Sequence, residues 1–182
     1  MKVSFGIENV HYAAIGSSGE YGVPTALPGA VSLSINGGSR ELTLNSYFGD
    51  VPFKKEKGSY SGSLIIASLP LAFLSDIYGI ELDVNGVEID KGNETVKPFA
   101  LLYQTNTDEG TIREVWYSCT AERPQYSIRT NDTGITVATR QIEIKMEKNI
   151  AREIYGFNDP FRARVKSGDE EYDTFFDEVY GG

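Results

Sequence analysis

Cysteine, histidine and tryptophan each occur once in this 182-residue chain, and these scarcities remove most chemistry at the outset. With Cys119 alone there is no internal disulfide framework, so a reducing cytoplasm is the expected place of synthesis. One cysteine and one histidine, far apart in sequence, cannot assemble a four-ligand zinc site. No apolar run approaches the roughly 18 residues a membrane span needs. The first residues carry one lysine and no long apolar stretch, so no secretion signal is expected. Bases are also short: 17 Lys and Arg stand against 26 Asp and Glu, a net charge of −9. The deficit is local. Residues 168–182 carry six acids and no base, and the other 167 residues carry 20 acids against 17 bases. A nearly balanced body lacks the basic footprint of a duplex-DNA binder.

What the chain has in quantity is turn formers and aromatics: 19 Gly, 11 Tyr and 9 Phe. That mixture favours β structure. The apolar–polar alternation of Val31–Ile35 and Arg40–Leu44 around Asn36-Gly37-Gly38-Ser39 predicts a hairpin. The stretch Asn45–Lys57 mixes Tyr47, Phe48, Val51 and Phe53 with Gly49, Pro52 and three lysines, and reads as a long loop. A strand over Tyr60–Ala67 is followed by a short helix, with Ser68 as its cap, Pro70 in its first turn and Gly79 as its stop. Asn85-Gly86 between Ile80–Val84 and Val87–Asp90 predicts a second hairpin. Phe99–Gln104 and Ile112–Thr120 form the next pair across a polar loop, Thr105–Gly110. Val137 and Thr139 fall on one parity and Ile142, Ile144 and Met146 on the other, so a bend is expected near Arg140. A last strand is placed at Phe161–Lys166. A terminal helix is expected from Ser167 on: Tyr172, Phe175, Phe176 and Val179 recur at helical spacing behind a capping-box pattern with acids in the first turn. The sum is one mostly antiparallel β domain over residues 1–182 with two short helices. An N-terminal arm (about 1–28) and an acidic C-terminal helix (about 168–180) complete it.

No constellation specifies catalysis. Cys119 and His11 could be written as a nucleophile–base pair, but Cys119 shares its predicted strand face with Val115 and Tyr117 and reads as core. Asp83 with Glu88, and Glu143 with Glu147, are carboxylate pairs on solvated strand faces. Gly16-Ser17-Ser18-Gly19-Glu20-Tyr21-Gly22 lacks the Gly-Lys-Ser/Thr ending of a phosphate loop and any helix after it, so it reads as a connector. Trp116 fits a core position, an interface anchor or a sugar-stacking platform. Lys54, Lys55 and Lys57 form the one basic cluster, either a solvated loop or a contact for an acidic surface, such as the terminal segment of another copy. No catalytic residue, cofactor site or metal site is assigned.

The opening Gly6-Ile7-Glu8-Asn9-Val10-His11-Tyr12-Ala13 resembles the start of the major tail tube proteins of long, flexible-tailed bacteriophages. Further matches follow in order. They are Leu27-Pro28-Gly29-Ala30-Val31, the apolar run into Leu69-Pro70 and its helix, Val115-Trp116-Tyr117 with Ala121-Glu122-Arg123-Pro124, and Phe175-Phe176-Asp177-Glu178-Val179-Tyr180. The resemblance implies a tail-tube-like β-sandwich and a structural role with no enzymatic activity. Subunits would form stacked hexameric rings around a tape-measure protein and conduct DNA in transit without sequence-specific binding. Partners would include tail initiator or baseplate and terminator proteins. The product would be a virion tail assembled in the bacterial host cytoplasm. Expected interface residues are Phe5, Ile7, Val10 and Tyr12 of the opening arm, and Tyr47, Phe48, Phe53, Lys54 and Lys55 of the long loop. The rival readings are a monomeric β-sandwich binding module (baseplate, receptor-binding or carbohydrate-binding) and the tube protein of a related injection machine.

Overall fold

A computed structural model describes residues 4–46, 49–92, 95–125, 138–148, 154–158 and 160–182. Ten strands and one helix are present among them: β1 (Ser4–Ala14), β2 (Thr25–Ala26), β3 (Ala30–Ser46), β4 (Gly49–Ile66), α1 (Leu71–Tyr78), β5 (Glu81–Leu82), β6 (Glu88–Ile89), β7 (Phe99–Thr107), β8 (Gly110–Ala121), β9 (Arg140–Glu147) and β10 (Arg162–Lys166). The protein is mainly antiparallel β, as its composition implies. Eight strands form one sheet in the order β2-β1-β7-β8-β9-β4-β3, with β10 also paired to β8; β5 and β6 form a separate ribbon.

The sheet splits at β8. Residues 112–116 of β8 pair with β10, whereas 118–121 pair with β9. The divergence lets β9, β4 and β3 fold over, and β3 returns against β1. The result is two facing layers. Between them lies the main core of Val10, Tyr12, Leu64, Ile66, Leu101, Trp116, Ile142, Ile144 and Met146, closed by Phe73, Leu74, Ile77 and Tyr78 of α1. A second apolar cluster lies on the outer face of β1, β7 and β8: Ala13, Ala100, Leu102, Val115 and Tyr117, with Ile154, Val165, Phe175 and Val179 over them. Strands buried on both faces read as continuous apolar runs, which explains Phe99-Ala100-Leu101-Leu102-Tyr103.

Several sequence expectations are corrected. The strand at Val31–Ile35 does not turn at Gly37-Gly38. It continues to Ser46, and the pairing register shifts between Gly37 and Ser39. The glycines mark a bulge within a strand, a role glycine takes where no side chain must pack. The segment 45–57 is therefore not a loop: apart from residues 47 and 48, it lies on paired strands, from Ser46↔Gly49 to Ser39↔Lys57. The opening is not an arm either, since β1 lies between β2 and β7 inside the sheet. The polar stretch 105–110 is shorter than expected, because β7 and β8 pair out to Thr107↔Gly110. Cys119 is core, but on the opposite face from Val115 and Tyr117. Phe99 pairs with Cys119 and Leu101 with Trp116, so an extra β8 residue reverses the parity. Val137, on which half of the expected bend rests, lies outside the described residues.

Helix α1 ends as expected, with Gly79 left-handed at φ 70 and Ile80 N–H bonded back to Leu74 O, the Schellman closure that glycine permits. Its start differs: Pro70 is the cap residue and no side chain caps it. The Asn85-Gly86 hairpin forms, but Asp83 N–H bonds Val87 O, which leaves a three-residue loop instead of two. The Asp83 carboxylate accepts from the N–H groups of Asn85 and Val87, both at 2.8 Å, and so fixes the longer turn.

The C-terminal helix is absent. Residues 167–177 form consecutive turns, with N–H groups bonded three residues back at Tyr172, Phe175 and Asp177. The sheet takes the groups a helix would use. Ser167 Oγ accepts from Thr111 N–H, and the Tyr172 and Asp173 carbonyls accept from the Arg113 guanidinium. The aromatic spacing that suggested a helix still marks the docked face: Phe175 and Val179 are buried, and Tyr172 and Phe176 pack beside them.

Candidate assembly surfaces

The first surface is the distal part of the β3–β4 hairpin. β9 pairs with β4 only over Tyr60–Ile66. From Ser39↔Lys57 outward, the two strands pair only with each other among the described residues. Eight residues of β3 at about 3.4 Å each give a ribbon roughly 27 Å long beyond the sheet body. An isolated two-stranded ribbon is marginal in water, and its outer edges present unpaired backbone groups.

The expected interface residues divide around this geometry. Phe53, Lys54 and Lys55 lie on β4 within the ribbon, with Lys54 opposite Leu42 and Lys55 opposite Glu41. Tyr47 and Phe48 lie outside the described residues. Phe5 lies on β1, opposite Asn106 of β7. Val10 and Tyr12 are buried in their own subunit's core, and Ile7 packs against that core. The interface expectation for Val10 and Tyr12 is corrected accordingly: the Tyr12 hydroxyl donates to Asp76 of α1 at 2.8 Å, tying β1 to the helix.

The Asn9-Val10-His11-Tyr12 run is structural. The β1 register shifts between Glu8 and His11, and Asn9 sits at φ 49, a left-handed position that asparagine tolerates. His11 Nδ1 lies 2.8 Å from the Asn9 carbonyl, and its ring stacks on Phe176 at 4.9 Å. His11 thus packs under the C-terminal segment while Cys119 faces the main core. The two stand on opposite sides of the sheet, and burial pushes the Cys119 thiol up, away from the reactive thiolate. The glycine-rich 16–22 connector closes on itself through the Ile15↔Tyr21 bridge and the Gly16 N–H to Glu20 O bond.

Sequence reasoning missed two polar assemblies. Arg113 stacks on the Tyr172 and Phe176 rings at 4.1 and 4.6 Å while donating to tail carbonyls, and so pins the C-terminal segment to the sheet. All six carboxylates of that segment remain exposed. Inside the sandwich, Trp116 Nε1 donates to Tyr103 Oη, Tyr103 donates to Glu114, and Arg162 pairs with Glu114 at 3.2 Å. Glu114 is only 8% exposed, and this pairing compensates its burial and locks β10 onto β8. Trp116 is thereby a core residue and not a surface platform. Nothing in the spacing of Arg113, Glu114 or Arg162 along the sequence signalled either assembly.

The remaining surface features are apolar. On the β5–β6 ribbon Leu82, Val84, Val87 and Ile89 are exposed, Val84 fully. Tyr155 and Phe157 are 69% and 72% exposed at the mouth of a cleft of about 410 Å³. Among the described residues no group of three or more His, Cys, Asp or Glu could hold a metal ion, and no helix is long and apolar enough to cross a membrane.

No protein-family model and no curated protein matches the chain. Among solved structures, it is similar to a chain of the PVC sheath–tube complex of an extracellular contractile injection system in the extended state. The identity is 9% over 87% of this chain and 88% of that one, with a TM-score of 0.42. It is also similar to a chain of the anti-feeding prophage cap, described as a tube-terminating cap. There the identity is 10% over 91% and 94% of the two chains, with a TM-score of 0.39. Neither likeness assigns a function to this chain.

Proposed function

We propose that this protein is a structural tube subunit, the major tail protein of a long flexible-tailed phage, with no catalytic role. The observation that carries the reading is the β3–β4 ribbon. A chain whose described residues leave about 27 Å of paired strands without a third strand presents edges that neighbouring copies would cover. A repeated head-to-tail contact between copies that closes on itself forms a ring, and a sheet continued around a ring leaves no edge exposed. In this reading subunits form hexameric rings, and the rings stack through the ribbon. Lys54, Lys55 and Lys57 face the acidic terminal segment of another copy, a complementarity that steers docking and fixes register. The ordered resemblance across the chain, from Gly6–Ala13 to Phe175–Tyr180, supports the same assignment.

The lumen would hold a tape-measure protein during assembly and pass DNA during ejection. A body with little net charge suits a wall along which DNA slides without sticking. Initiator or baseplate and terminator proteins would cap the tube, the host cytoplasm would be the site of assembly, and the virion tail its destination. The tube protein of a related injection machine would use the same surfaces; nucleic acid in the lumen of ejecting particles separates the two.

The test is a pair of alanine substitutions, Phe48→Ala and Phe53→Ala. They should abolish tubes seen by negative-stain electron microscopy while circular dichroism reports an intact β fold. Normal tubes from the double variant would refute ribbon-mediated stacking.

A further inference from the structure

The exposed apolar β5–β6 ribbon and the Tyr155–Phe157 cleft have complementary chemistry. The ribbon presents Leu82, Val84 and Val87 among the acids Glu81, Asp83, Glu88 and Asp90. Exposed contacts brace it: Lys91 pairs with Glu81 at 2.8 Å, Arg123 pairs with Asp90, and the Asp83 carboxylate fixes the turn. The cleft is lined by Tyr117, Tyr155, Phe157, Pro160, Arg162 and Arg164, so it is aromatic with a basic rim. Among the described residues, Glu88 and Arg164 have no ion-pair partner.

The cleft also holds a strained feature. Ile154 and Phe157 exchange both backbone hydrogen bonds around Tyr155-Gly156, and these two residues have φ of 48 and 82. Positive φ at both central positions defines a type I′ turn, which favours Asn-Gly. A tyrosine there is strained where glycine would not be. It gains a ring contact with Tyr180 at 5.0 Å yet stays mostly exposed. Strain that sets a bulky aromatic at an exposed turn apex marks a candidate contact site.

In one subunit the two features flank different sides of the sheet. The ribbon follows α1, which closes the main core on one side of β7 and β8, whereas Tyr117, Ile154 and Tyr180 belong to the cluster on the other side. We infer that the β5–β6 ribbon of one copy seats in the Tyr155–Phe157 cleft of a second copy, with Val84 inserted against the aromatic wall and Glu88 facing Arg164. Such a contact is heterologous, the kind that propagates into rings or filaments. It rests on the tube reading and names one of the contacts between its subunits.

Two single-substitution variants, Val84→Cys and Asn158→Cys, test it when mixed in equal amounts under mild oxidation. Cys119 is fully buried and does not compete. The expected product is the mixed disulfide, with neither variant cross-linking to itself alone. Separately, Glu88→Arg and Arg164→Glu should each weaken association about tenfold or more, and their combination should restore it, since like charges across an interface repel. Tubes that form without the mixed disulfide, and tolerate both charge reversals, would overturn this contact and leave the tube reading standing. Mixed disulfides in oligomers that never become tubes would keep the contact and refute the tube. A chain that never self-associates would overturn both.

Discussion

Replacing Phe175 by alanine measures how the C-terminal segment is held. Residues 169–182 belong to no strand of the sheet. Their attachment rests on the buried Phe175 and Val179 side chains, on Arg113 donating to the Tyr172 and Asp173 carbonyls, and on Tyr117 donating to Tyr180 O at 3.1 Å. Removing a buried phenyl ring costs about 3–5 kcal/mol. A segment without ladder bonds should feel that loss locally before the sheet does. At about 1.4 kcal/mol per factor of ten, amide exchange in 169–182 should quicken by roughly 100-fold or more, while β7 and β8 stay protected. Hydrogen exchange read by mass spectrometry reports both regions in one experiment. A change below about tenfold in the segment would refute the account. So would equal loss of protection across β7 and β8, since the segment would then be part of one cooperative unit with the sheet.

Further outcomes follow from single contacts. A Cβ on Gly62 would lie 2.6 Å from the Ser34 carbonyl oxygen and 3.2 Å from Met146 Cε. Gly62→Ala should therefore cost about 1–3 kcal/mol through overpacking, read as a lower urea midpoint with an unchanged slope. Tyr103→Phe strands Trp116 Nε1 and removes a donor from Glu114, which should cost about 1–3 kcal/mol. The Tyr103 hydroxyl is held neutral well above the ordinary tyrosine range by burial and the adjacent Glu114 charge. Its contribution is full below about pH 10 and falls as pH rises, by roughly 1.4 kcal/mol per pH unit; Tyr103→Phe should flatten that alkaline limb of a stability profile. On the β5–β6 ribbon, backbone N–H donation from Val87 and the Asn85 side chain hold the Asp83 carboxyl below its usual range, and the Arg123 guanidinium does the same for Asp90. Both stabilise the ribbon above about pH 4, and that support is lost as pH falls through their lowered values. Amide resonances of Asn85, Val87 and Gly92 should shift together on acidification, and shifts unchanged to about pH 2 would contradict the assigned turn.

The strands were legible where one rule dominated. Ile142, Ile144 and Met146 alternate on a face buried against one core, and the continuous apolar run of β7 matches a strand covered on both sides. The errors share a cause: a local signal lost to tertiary pairing. Gly37-Gly38 has turn composition, yet β3 and β4 continue past it because the two strands pair on both sides of the bulge. The i, i+3, i+4, i+7 pattern of Tyr172–Val179 located the buried face correctly, but Arg113 captured carbonyls that a helix would have used. Parity carried Cys119 to the wrong face because a bulge in β8 leaves no mark in composition. Of the expected interface residues, Val10 and Tyr12 could not be told from core positions, since an interface and a core select the same side chains. Tyr155 is the opposite case: its exposure follows from a backbone conformation that its residue type disfavours, and no propensity argument reaches it.

The central claim is self-assembly, and negative-stain electron microscopy of the purified protein, at rising concentration and across salt, tests it most directly. The account predicts six-fold rings that stack into hollow tubes, appearing most readily at low salt, where the proposed contact between the ribbon lysines and the acidic segment is least screened. A monodisperse 20.1 kDa particle under every condition would contradict it.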